Sequence, residues 1–129
     1  MRTSIDFSDL TREHQQAAQI PPRMRRGIWV RVREVSFNAE RYVKIAMPVD
    51  TGRARASWGH STPPASPADG IWEENERDLS ITQGSRVEYI EQLNEGSSQQ
   101  APAGFIDAIE RRAAEELANK IADDMARLL

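Results

Sequence analysis

The chain has 129 residues, no cysteine, and 17 Lys+Arg against 20 Asp+Glu, a net charge of −3. That length supports one domain with its own core. The lack of cysteine excludes a disulfide framework and a thiolate metal site, and no run approaches the roughly 18 apolar residues of a membrane span.

The start of the chain, Met1 to Asp9, is polar and has no apolar stretch of the signal-peptide kind. The expectation is a soluble protein made in a cytoplasm. Asp6 or Ser8 then suits the cap of a short helix reaching about Gln19, with Phe7, Leu10 and Ala17 on one side. Residues 1–22 therefore read as an N-terminal helical arm, closed by Pro21-Pro22. Pro22 also suits the first turn of a second helix. That helix is predicted over Arg23–Ala46, because Met24, Ile28, Val32, Val35, Ala39, Tyr42, Val43 and Ala46 recur at three- and four-residue steps. Residues 28–35 alternate and are rich in β-branched side chains, which also suits a strand. The stripe continues on both sides, which favours the helix.

Pro48 cannot extend that helix and biases Met47 away from it. Asp50, Thr51 and Gly52 make a turn. Arg53 to about Ser61 alternates charged and small or apolar residues, the pattern of a half-buried strand. The next stretch, 61–70, holds three prolines and no large apolar side chain, so it reads as a mobile loop. Ile71–Glu73 and Leu79–Gln83 read as short strands, Gly84-Ser85 as a turn, and Val87–Asn94 as a short helix with Tyr89, Ile90 and Leu93 inward. Glu95–Ala103 is a second loop. From Pro102 or Ala103 a last helix runs close to Leu129, with Phe105, Ile109, Ala113, Leu117, Ile121 and Met125 at four-residue steps. The expected fold is one α+β domain: a small antiparallel sheet packed on the Arg23–Ala46 and Pro102–Leu129 helices.

Nothing in the sequence reads as an enzyme. His14 and His60 are far apart and lack acidic neighbours at metal-ligand spacing. Asp50, Ser57 and His60 could be drawn as a triad, but on a strand Ser57 and His60 point to opposite faces. No glycine sits in a phosphate-cradling motif. Arg23, Arg25, Arg26, Arg31 and Arg33, interleaved by Trp29, form a basic cluster suited to DNA or to a charged partner ring. A solvated helix face is the simpler reading of the same residues. Residues 1–58 carry 11 basic against 6 acidic side chains, and residues 59–129 carry 6 against 14. Halves of opposite sign can attract a second copy head to tail.

Two blocks of wording go further. The first is Pro48-Val49-Asp50-Thr51-Gly52-Arg53-Ala54-Arg55-Ala56-Ser57-Trp58. The second runs from Tyr89 through Leu93, Gly96, Ser98 and Gln100-Ala101-Pro102 to Gly104-Phe105. In order and spacing they resemble the signature blocks of the phage tail-completion family, the neck proteins that join head to tail in long-tailed bacteriophages. The departures are Ala54 for a usual Leu, and Asn94 and Glu95 for a usual Glu and aromatic.

The resemblance implies a structural virion protein with no cofactor, made in the bacterial host and placed at the head–tail junction. It implies a ring, six copies matching tail symmetry and twelve a portal. The partners would be a connector or head-completion protein on one side and a tail terminator or tail tube protein on the other. DNA would pass through the lumen without sequence-specific binding. A tail terminator ring and a free-standing nucleic-acid-binding domain are the rival readings. Interface candidates carried by the two blocks are Asp50, Thr51, Gly52, Arg53, Arg55, Trp58, Glu95, Gly96, Gln100 and Pro102. The five arginines of the basic cluster are the candidates for a charged partner ring.

Overall fold

The computed structural model describes residues 3–6, 22–47, 53–59, 63–96 and 103–128. Seven elements follow in chain order: β1 (Thr3–Asp6), α1 (Pro22–Ala46), α2 (Arg53–Ala56), β2 (Gly70–Asn75), β3 (Ser80–Ser85), α3 (Tyr89–Asn94) and α4 (Phe105–Leu128). The fold is α+β, as the patterning predicts.

The sheet is antiparallel throughout, in the order β1-β3-β2. Ile5 lies opposite Gln83 on one side of β3, and Trp72 lies opposite Gln83 on the other. β1 corrects part of the predicted helical arm: Thr3–Asp6 is a strand. The remainder of that predicted helix falls outside the described residues. β2 and β3 are joined at residues 76–79, where Asn75 accepts from the Asp78 amide at 3.1 Å and holds the turn closed.

α1 is the central element. Pro22 opens it at a position whose N–H would be unsatisfied in any case. Ile28, Val32, Val35, Ala39 and Val43 are buried along one stripe, facing α4. Ala113, Leu117 and Ile121 return that contact from α4. The helices run antiparallel: Arg31 meets Asp124, Glu34 meets Lys120, and Asn38 meets Glu116. A second stripe of α1, Ser36, Glu40 and Lys44, is also buried. Sheet and loop cover it, so α1 has a wider buried face than its apolar pattern indicates. Tyr42, predicted as core, stands 37% exposed at the edge of the stripe, and Met125 on α4 is 43% exposed.

The predicted strand at Arg53 is a helical turn instead. The Ser57 amide donates to the Arg53 carbonyl at 2.9 Å. Arg and Ala are both strong helix formers, so the alternation that suggests a strand carries little weight over four residues. The turn lets Arg55 donate to the carbonyls of Met47 and Ile45, both at 3.2 Å. These are orphan acceptors at the end of α1.

Gly84 and Ser85 are likewise not a turn. Both are buried in β3, with the Gly59 amide donating to the Gly84 carbonyl at 2.9 Å.

The described part of the predicted mobile loop, residues 63–70, lies largely on the surface but is fastened to its own domain. Ser66 donates its amide to Ala56, and the Arg86 amide donates to Asp69, each at 2.8 Å. Backbone bonds anchor the segment where apolar side chains are lacking.

Candidate functional site

The first block divides on folding. Asp50, Thr51 and Gly52 lie outside the described residues. Arg53 is exposed, and Arg55 is half-buried against the end of α1. A strand would set both arginines on one face. On a helical turn, residues two apart diverge by about 200°. Arg53 and Arg55 therefore do not share a face. Trp58 is fully buried, with its indole N–H donating to Gln83 Oε1 at 2.9 Å. It anchors the core and offers no surface to a neighbour, which removes it from the interface candidates.

The second block closes α3 onto α4. Ile90 is buried and Leu93 packs against the core, which sets the helix. Asn94 then does the joining: its side-chain oxygen accepts from the Ile106 amide at 2.9 Å, and its carbonyl accepts from the Gly104 amide at 2.5 Å. It thus caps the start of α4 from a distance in sequence. Glu95 and Gly96 are exposed at the end of α3, while Gln100 and Pro102 lie outside the described residues. Burial pushes the Tyr89 phenol up from its ordinary value, and the neighbouring Arg53 guanidinium pulls it the other way.

Between the blocks lies a cluster that the sequence does not announce. Gln83 Nε2 donates to the Ser36 carbonyl of α1 at 2.8 Å, so one buried amide serves both α1 and Trp58. The Ser85 hydroxyl donates to Ser57 Oγ at 3.0 Å, and the Ser57 hydroxyl donates in turn to the Ala54 carbonyl at 2.8 Å. Beside them Lys44 Nζ stands 3.7 Å from Glu40 Oε1 and donates to the Pro64 carbonyl at 2.6 Å. Glu40 is fully buried and Lys44 is 3% exposed. Burial drives the Lys44 ammonium below its usual range, and Glu40 opposes that shift.

Two glycines permit this closeness. Gly59 has φ +61°, and a Cβ there would strike the Glu40 carboxylate. A Cβ on Gly70 would run into the Gly59 carbonyl. The Ile81, Gln83, Ser85 parity is the one sequence signal that could have placed Gln83 and Ser85 inward. Glu40 and Lys44 read as an ordinary exposed i,i+4 pair.

The basic cluster disperses. Arg31 donates twice to Asp124, both at 2.8 Å, and once to Glu34 at 2.9 Å. Arg33 pairs with Glu74 at 3.0 Å and lies over the Phe37 ring. Phe37 in turn stacks on Trp72 at 5.0 Å. Arg25 donates to the Arg77 carbonyl at 2.5 Å, while Arg23 and Arg26 are exposed in the first turn of α1. Two of the five arginines thus spend their charge inside the domain. Among the described residues no group of three acidic or histidine side chains is placed to hold a metal ion. No described helix is long and apolar enough to cross a membrane. The chain matches no family model, no curated protein and no solved structure.

Proposed function

We propose that this chain is a structural ring protein of the head–tail junction of a long-tailed bacteriophage, of the tail-completion kind. The observation that carries the reading is the ordered pair of blocks, Pro48–Trp58 and Tyr89–Phe105, in wording and spacing that resemble that family. The geometry is compatible with it. The Arg53 guanidinium of the first block acts electrostatically on Tyr89 of the second, and Asn94 fixes the second block to α4.

In this reading six copies, or twelve, close through unlike surfaces, the basic first half of one chain against the acidic second half of the next. The ring lies in the virion between a connector or head-completion protein and a tail terminator or tube. DNA passes through it without being read. No cofactor or reaction belongs to the proposal. With Arg31 and Arg33 engaged by acids of the same domain, the case for a free-standing nucleic-acid-binding domain loses two of its five cations.

The test is a joining assay with purified phage heads and tails. Added protein is expected to produce joined particles, in which a tagged copy maps to the neck. Native mass measurement of the ring released from those particles should give six or twelve times the 14.6 kDa chain. Heads and tails that join equally well without the protein would overturn the proposal. A tag found capping the tube of free tails would replace it with the tail terminator reading.

A further inference from the structure

Where α1 begins and α4 ends, the two helices leave a furrow of about 230 Å³ with a mostly apolar wall. Ile28 and Ile121 form its floor, both nearly buried. Met24 and Met125 flank them, and Met125 is 43% exposed. The furrow is open at Gly27, where an added Cβ would meet nothing within 4 Å. Exposed Arg23 and Arg127 stand on the rim. Asp124 also lines it, but both its oxygens are held by Arg31. The charge left at the mouth is therefore positive. The first turn of α1 reinforces it, having arginines and no acidic residue.

Three features select an occupant. The volume falls below the roughly 300–1,000 Å³ of small-molecule pockets, so one large side chain fits it better than a free ligand. Methionine walls adapt to such an anchor, as in sites that take an amphipathic helix. The guanidinium rim favours carboxylates. A nucleic-acid backbone would satisfy the arginines but leave the apolar floor uncovered.

We infer that this furrow docks an acidic amphipathic segment of a protein partner. One large apolar side chain seats on Ile28 and Ile121, and carboxylates on either side of it meet Arg23 and Arg127. The inference stands on the furrow alone and does not depend on ring assembly.

Fluorescence anisotropy on the full chain tests it, with a labelled helical peptide that carries Leu at three- and four-residue steps flanked by Glu. Saturable binding is expected, weakened about tenfold or more by Arg23→Glu with Arg127→Glu, and equally by Gly27→Leu, which fills the furrow. Gly27→Leu also raises helix propensity, so loss of binding there is not loss of fold. Circular dichroism melting confirms both variants. A peptide with Lys in place of Glu, or a short DNA duplex, that binds as tightly as the Glu peptide would overturn the inference. So would failure of the Glu peptide to bind. A photo-cross-linking residue in place of Gly27 supplies an independent readout. Cross-links to added Glu peptide support the inference; cross-links within the free chain, or to a second copy, give the furrow to another occupant and overturn it.

Discussion

Helix α1 is fastened on two sides by polar groups, and the two sides obey different physics. Toward α4, Arg31, Asp124, Glu34 and Lys120 form a seam in which each side chain keeps roughly a quarter to two-fifths of its surface in water (27%, 31%, 39% and 26%). Toward the sheet and the 63–70 segment, Glu40, Lys44, Gln83 and Trp58 are dry. Water screens the first set, so each pair adds little and its loss is mild. The second set has no water to fall back on, and a missing partner leaves a buried group unsatisfied. The seam sets how α4 lies along α1. The buried set determines whether Gly59, the loop and β3 can close at all.

The largest expected effect tests that contrast directly. Lys44→Met leaves the Glu40 carboxylate without its buried ammonium, and should cost about 3–5 kcal/mol in urea unfolding. Adding Glu40→Leu should recover most of the loss, because an apolar pair needs no partner. A single-variant loss no greater than that of a surface pair would erase the distinction between the two sides. Next in size, Gln83→Leu strands the Trp58 N–H and should cost about 1–3 kcal/mol. Near-ultraviolet circular dichroism should report the altered indole environment.

The contrast also explains what the sequence revealed. The apolar stripes of α1 and α4 were legible because burial at three- and four-residue steps leaves a period; β2, β3 and α3 were also placed, with β3 ended two residues early. The Arg53 turn was not legible, since Arg-Ala-Arg-Ala fits either a strand or a helix over so short a span. What decides it is Arg55 reaching the end of α1, a contact that the local pattern does not encode. Glu40 and Lys44 could not be told from a solvated pair, because spacing alone says nothing about what covers a helix face. Gly84-Ser85 looked like a turn because Gly and Ser favour turns; here they give β3 a narrow surface against Gly59 and Ser57. Of the candidate interface, Arg53, Glu95 and Gly96 lie at the surface, whereas the wording that marks the blocks also includes Trp58, a core anchor.

Asn94 is half-buried and joins α3 to α4. Asn94→Ala removes its side-chain bonds to the Ile106 amide and to Asp107, but leaves its backbone bond from Gly104. Loss of such a cap costs about 1 kcal/mol, within a range of about 0.5–2. Hydrogen exchange should quicken at the first turn of α4 and stay unchanged in β3.

The smallest effects come from the seam, and pH separates them from the buried set. Hydrogen bonds from Arg31 hold the Asp124 carboxyl below its ordinary value, and bonds from Lys120 and then Arg31 do the same for Glu34. A carboxyl depressed in the folded state binds its proton more readily when unfolded. Its contribution is therefore complete above the unfolded value, near 4 for Asp and Glu, and is lost as pH falls through the folded one. Lys44 behaves in the opposite part of the scale. Burial lowers its folded value, so between that value and about 10.4 the unfolded chain holds the extra proton, and stability rises with pH. Arg31→Ala should flatten the acid limb of the stability profile and leave the alkaline limb intact; Lys44→Met should flatten the alkaline limb. Added salt should shrink the Arg31→Ala difference and barely touch that of Lys44→Met, since screening acts on pairs that water already reaches. Equal salt dependence in the two variants would mean that water penetrates the sheet side of α1 as freely as the seam.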